Sequence, residues 1–221
     1  MAPARHGTRA HDPRTGTTDR STARRRWTRG VPGHTNGAML TIRREGPADA
    51  EAVARVHVRC WQHAYSGIMP AQVLARLNVA AWAQRRRDVG TAEPEHPFTT
   101  LLAEADGQVV GFTSYGPYRV DQNRADLDPA YGELLALFVE PDHWGDGTAP
   151  ALLAAARDGL AGRGWHEYRL WVLADNVRAR RFYERAGLSP DGERSTYPVP
   201  LTAGSEPVGL VELRYTGRLD G

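Results

Sequence analysis

Five apolar residues, Leu134, Leu135, Leu137, Phe138 and Val139, form a run that Pro141 ends, and a turn with glycine at Gly145 and Gly147 follows. Ala149, Leu152, Leu153, Ala156 and Leu160 then recur at the i, i+3, i+4 and i+7 spacing of an amphipathic helix. A strand, a glycine turn and a helix start bring several unpaired backbone N–H groups to the positive end of a helix dipole. Such a place holds anions, and phosphate is the usual guest. Trp144, Gly145, Asp146, Gly147, Thr148 and Ala149 are its candidate residues; Pro150 has no N–H to offer. Turns of this kind also occur where nothing binds, so the loop needs a second feature beside it.

Asn176 and Tyr183 supply that feature. They stand seven residues apart, close to two helical turns, and so share one face of a helix. A tyrosine keeps its proton at neutral pH and can stand in an apolar wall with only its hydroxyl facing a site. A core-edge aromatic is the plain alternative.

The elements that must position these residues alternate between strand and helix. Residues 40–43 read as a short strand, and Pro47, Asp49 and Glu51 open a helix that runs to about Tyr65. Short helices are expected over 71–77 and 79–89, the second ending in Arg85, Arg86 and Arg87 as solvated partners of the helix dipole. Asp106-Gly107 predicts a tight hairpin between strands over 98–105 and 108–115. The polar stretch 119–129 reads as a mobile loop. After the glycine turn come a strand over 168–173, a helix over 176–186 closed by Gly187, and strands near 195–199 and 208–215. The pattern predicts an α/β fold around a mixed sheet, with no internal repeat.

The chain has 221 residues, enough for one domain with a sizeable core, and it contains no apolar run long enough to cross a bilayer. With one cysteine, Cys60, neither a disulfide framework nor a cysteine metal cluster can form within the chain; Cys60 is expected in the core. His57, His63 and His143 lack metal-ligand spacing, and no metal is expected. The formal charge of +2 is unevenly placed. Residues 1–38 carry about +6 and the remainder about −4. All the cationic side chains are arginine, which points to a GC-rich bacterial genome. Residues 1–38 are expected to be a disordered extension ahead of a domain over 39–221, and translation could begin at Met39. Nucleic-acid binding through Arg24, Arg25, Arg26 and Trp27 is a weaker alternative than a solvated tail.

Taken in order, these elements resemble the GNAT superfamily of acyl-CoA-dependent N-acetyltransferases over residues 40–215. FVEPDHWGDGTAPALL is similar to the family's pyrophosphate loop at Trp144, Gly147 and Ala149, although Trp144 stands where Arg or Gln is commoner. LWVLADNVRARRFYERAGL is similar to its strand and Asn-led helix with a phenylalanine-tyrosine pair. The resemblance implies a mostly antiparallel central sheet flanked by helices, with central strands splayed apart. It also implies acetyl-CoA as cosubstrate and direct transfer to a primary amine. Backbone groups near Phe138 and Val139 would pair with the pantetheine arm, which Asn176 helps to hold. Tyr183 would protonate the departing thiolate. Glu133 would be the general base, since an amine of pKa near ~10 must lose a proton before attack; its plain alternative is a solvent-facing strand-end carboxylate or a contact to the acceptor's charge. The segments 61–77 and 119–129 would line the acceptor side. The expected partner is a small-molecule or peptide amine, and the protein is expected to be cytoplasmic, monomeric or homodimeric. A CoA-binding sensor without turnover is the rival reading.

Overall fold

The computed structural model describes residues 39–92, 97–201 and 206–219, so the extension over 1–38 and its arginine cluster lie outside the described residues. The chain enters through β1 (Thr41–Arg44) and a short turn at Pro47–Asp49, then α1 (Ala50–Ala64). Arg43 ties the two together by donating to both carboxylate oxygens of Asp49 at 2.7 and 2.9 Å. Val53, Val56 and Cys60 recur on one face of α1 and bury it against Leu102 and Phe112.

Helices α2 (Ala71–Ala75) and α3 (Val79–Ala92) follow, then β2 (Thr99–Ala105) and β3 (Gln108–Arg119). Asp106 and Gly107 turn the hairpin with φ of 49° and 74°, as a two-residue hairpin turn demands. The remaining elements are β4 (Leu127–Val139), α4 (Thr148–Ala161), β5 (Glu167–Leu173), α5 (Val177–Arg185), β6 (Ser189–Val199) and β7 (Val208–Arg218). Gly187 has φ of 87°, and Leu188 N–H closes the end of α5 on Tyr183 O at 3.0 Å.

The seven strands run in the order β1-β2-β3-β4-β5-β7-β6, and every neighbouring pair is antiparallel except β4 with β5. α1 packs on one face through Val53, Val56 and Cys60, and α3 brings Trp82 against His57 there. On the other face Leu153, Ala156 and Leu160 of α4 and Tyr183 of α5 meet Tyr168, Leu170 and Tyr215. The expected mixed, mostly antiparallel sheet between helices is what forms.

The parallel pair is short. β4 and β5 are in register only at Gly132↔Tyr168 and Glu133↔Arg169. Beyond that point Leu135 is an extra residue in β4 where its register with β3 shifts, a bulge that bends the strand. The two central strands therefore part, and the cleft opens between them.

Two expectations are corrected here. The stretch 119–129 is a loop only over residues 120–126, which open on a 3-10 turn at Val120–Gln122, because β3 and β4 pair as far as Arg119↔Leu127. Arg86 is not a solvated partner of a helix end either. Its helix continues to Ala92, and Arg86 donates to Glu45 at 2.5 and 2.6 Å while lying 5.5 Å over the Phe112 ring. Arginine in a polar run looked solvated because the sequence does not show that Glu45 waits across the fold.

Candidate active site

The cleft between the parted strands has a volume of about 1240 Å³. At one end lies the glycine turn. Gly145 and Gly147 take φ of 89° and 97°, a left-handed backbone that other residues adopt at a cost. The N–H groups of Gly145, Asp146, Gly147 and Ala149 meet no acceptor among the described residues, whereas Trp144 N–H is spent on Pro141 O at 3.1 Å. Those free donors sit at the first turn of α4, an arrangement that suits an anionic diphosphate.

Thr148 is withdrawn from that set. Its N–H donates to Asp146 Oδ1 at 2.9 Å, and its side chain is buried. Asp146 does not point away from the turn, as its charge would suggest; besides accepting from Thr148 N–H it shares a 2.9 Å hydrogen bond with His143 Nδ1. Burial pushes its carboxyl up, but the hydrogen bonds from Thr148 and His143 outweigh this and hold it below the usual carboxylate range. Trp144 makes another contact invisible in the sequence: Nε1 donates to Val139 O at 2.7 Å, and the Arg178 guanidinium lies 3.1 Å over the indole.

At the end of β4, Glu140 N–H bonds back to Val110 O on β3 at 2.8 Å. Strand alternation then turns the backbone groups of Val139 and Leu137 toward the gap and those of Phe138 toward β3. Phe138 is thus misplaced as a backbone partner for pantetheine; its ring packs 5.4 Å from Phe112 instead. Val139 keeps its N–H for the gap, but its carbonyl already accepts from Trp144 and from Cys60 Sγ at 3.1 Å. Leu137, not proposed from sequence, is the position whose backbone groups face the gap together with those of Val139.

Asn176 and Tyr183 both line the cleft. Asn176 also has a structural duty, because Oδ1 accepts from Ala179 N–H at 3.1 Å and starts α5. Helix capping is thus a second reason for an asparagine at this position, beside its place in the cleft lining. Tyr183 is buried, and desolvation holds its phenol well above the ordinary range, so it stays protonated at any working pH.

Glu133 is 1% exposed and lies where the strands part. It is not solvent-facing. Arg119 donates to it from its backbone N–H at 2.9 Å, from Nε at 3.0 Å and from Nη2 at 2.7 Å, so both oxygens are held by one residue. Sequence reasoning missed the second carboxylate of this end, Glu212 on β7, which is 7% exposed and lines the same cleft. Its hydrogen-bond partner is the neutral amide of Gln122, at 2.6 Å. Asp121 and Gln122 reach this position with φ of 49° and 57°, a strained backbone worth on the order of 1 kcal/mol per residue.

Trp61, Tyr65, Met69, Trp171 and Tyr197 form the apolar wall around these carboxylates. Segments 61–77 and 119–129 both reach the cleft, the first through Trp61 and Tyr65, the second through Arg119 and Gln122. His57 lies here too, stacked 5.0 Å from Trp61 and 4.2 Å from Trp82; burial, with Arg86 nearby, pushes its pKa down to about 4. Cys60 is buried in the core, as expected, and also borders the cleft. Burial, followed by the charge of Glu140, pushes its thiol up to about 12, which leaves it protonated and a poor nucleophile. Among the described residues no group of three or more His, Cys, Asp or Glu is placed to hold a metal ion, and no helix is long and apolar enough to cross a membrane.

A family model described as the acetyltransferase (GNAT) family matches residues 52–188. The chain is 31% identical over 143 residues to the uncharacterized N-acetyltransferase YuaI of Bacillus subtilis, covering 62% of this chain and 74% of that protein. It is 26% identical over 169 residues to "Probable N-acetyltransferase Rv2775" of Mycobacterium tuberculosis, covering 76% and 90%. The PaiA N-acetyltransferase of Thermoplasma acidophilum, solved in complex with coenzyme A, shares the fold with a TM-score of 0.62 at 19% identity, over 81% of this chain and 98% of that one.

Proposed function

From the premise that this chain belongs to the acetyltransferase (GNAT) family, we propose that it transfers an acetyl group from acetyl-CoA directly to a primary amine, with no acyl group parked on the protein. The observation that carries this reading is the parting of β4 and β5 after two paired positions, immediately beside a turn in which the amides of Gly145, Asp146, Gly147 and Ala149 meet no acceptor among the described residues. An extended, amide-bearing arm ending in a diphosphate fits those two features together: hydrogen bonds at a strand edge, then an anion at a helix start.

Gly145, Asp146, Gly147 and Ala149 would hold the diphosphate through their N–H groups, with Trp144 and Arg178 beside it. Leu137 and Val139 would hold the arm, and Asn176 would reach it from α5. Tyr183, protonated and facing the cleft, gives its proton to the departing thiolate. Cys60 stays a bystander because its thiol is protonated at neutral pH. The acceptor enters along Trp61, Tyr65 and Tyr197, where Glu133 and Glu212 are the two carboxylates able to receive its proton.

The test has two parts. Acetyl-CoA at 100 times its Kd should stabilise the protein by ~2.7 kcal/mol, and the absence of any thermal shift would sink the reading. Tyr183→Phe should then lower kcat by about 100-fold or more with acetyl-CoA affinity unchanged; undiminished turnover would strip Tyr183 of its role.

A further inference from the structure

We propose that Glu212 on β7, not Glu133, is the carboxylate that receives the acceptor ammonium and takes its proton; this rests on the transferase reading above. The two side chains are set apart by their partners. Glu133 is held on both oxygens by Arg119, with distances of 2.7–3.0 Å, so an arriving ammonium meets a carboxylate whose charge is already matched. Glu212 has a neutral partner, Gln122 Nε2 at 2.6 Å, on one oxygen. The other oxygen is left for the cleft, which Glu212 lines.

The setting of Glu212 is built for that purpose. Two successive residues, Asp121 and Gln122, take left-handed backbone to bring the Gln122 amide onto it. Strain of this kind persists where the surrounding structure fixes a functional contact. Glu212 pairs with Leu173 across β5–β7 and with Ser195 across β6–β7, so the carboxylate stands on a rigid part of the sheet. The charges that reach it are those of Arg119 on β3 and Glu133 on β4, and its own charge reaches the neutral phenols of Tyr65 after α1 and Tyr197 on β6. Burial raises the Glu212 carboxyl above the usual range, with the Gln122 hydrogen bond and Arg119 acting the other way, and a raised carboxyl is the better base.

The proton balance is simple. The ammonium N–H breaks and a Glu212 O–H forms; the freed nitrogen pair makes the C–N bond as the thioester C–S bond breaks. Sulfur takes the Tyr183 proton, the acylated nitrogen returns its surplus proton to the Tyr183 phenolate, and Glu212 releases the first proton to water.

The experiment uses the full chain, acetyl-CoA and two kinds of nucleophile. One is hydroxylamine, which is unprotonated at neutral pH and needs no base. The others, hexylamine, phenethylamine, spermidine and an alanine-led tripeptide, arrive as ammonium ions. Glu212→Gln should lose about 100-fold or more in kcat/KM on the ammonium acceptors and stay within about threefold on hydroxylamine, as a base deletion should. Gln122→Ala, a milder change, removes a hydrogen bond that favours the charged carboxylate, so the acidic limb of kcat/KM should move to higher pH. Equal loss on both kinds of nucleophile, or an unmoved limb in Gln122→Ala, overturns the proposal. So does full activity in Glu212→Gln beside a dead Glu133→Gln. A wild-type protein that neither binds acetyl-CoA nor acylates any of the five nucleophiles overturns the transferase reading itself.

Discussion

The indole Nε1 of Trp144 donates to the carbonyl of Val139 at 2.7 Å, so the glycine turn is pinned to the last residue of β4. The position that ends the strand and the position that opens the loop thereby move as one. A residue unusual for the family's loop motif contributes geometry in place of a charged contact.

Trp144→Phe keeps the ring beneath Arg178 and removes the donor. A hydrogen bond contributes roughly 1 kcal/mol net, so the affinity for acetyl-CoA should fall about fivefold. Titration calorimetry reads this directly, and affinity equal to wild type would mean the pin has no part in holding the turn.

Asp146→Asn keeps an oxygen for the Thr148 N–H and removes a negative charge beside the diphosphate's amides. Acetyl-CoA should bind about two- to fivefold tighter at low salt, with the gain shrinking as salt screens it. Weaker binding at all salt concentrations would show that the charge, through His143, supports the loop more than it repels the ligand.

His57 is kept neutral in the fold, with its pKa lowered from 6.5 to about 4 by burial and by Arg86. A group whose folded pKa is depressed adds stability above its unfolded pKa and withdraws it as the pH falls toward the folded value. Between pH 6.5 and 4, His57 should therefore cost the wild-type protein about 3 kcal/mol. Urea denaturation of His57→Phe across that window should show a correspondingly flatter acid decline; an identical slope would remove His57 as its source.

Gly159 on α4 has no room for a methyl group, because a Cβ there would sit 2.1 Å from the Tyr115 hydroxyl. Helix propensity alone would make Gly159→Ala stabilising by about 1 kcal/mol. Crowding should reverse the sign and cost about 1–3 kcal/mol, measurable as a lower Tm. A raised Tm would mean Tyr115 swings aside freely.

Local signals made much of this molecule readable from sequence. Asp106-Gly107 has a turn chemistry that few alternatives satisfy, and the spacing of Leu152, Leu153, Ala156 and Leu160 fixes the buried face of α4. Asn176 and Tyr183 needed only helical periodicity to be placed on one face. What stayed hidden depends on pairs that are distant in the chain. Glu212 sits in an ordinary alternating strand, and nothing in its neighbours says that β7 borders the gap. The Gln122 backbone is left-handed without a glycine to announce it. Cys60 reaches the end of β4 because α1 crosses there, and Arg119 takes possession of Glu133 through a strand pairing that polar composition disguised as a loop.

The short register between β4 and β5 has one more consequence, for turnover. Backbone groups on an open strand edge grip a pantetheine arm in the same way before and after the acetyl group has left. Contacts made equally to substrate, transition state and product raise affinity without raising the rate of the chemical step. On the proposed reading, the gap between the strands would hold the spent carrier as firmly as the loaded one, and free CoA should compete with acetyl-CoA on nearly equal terms.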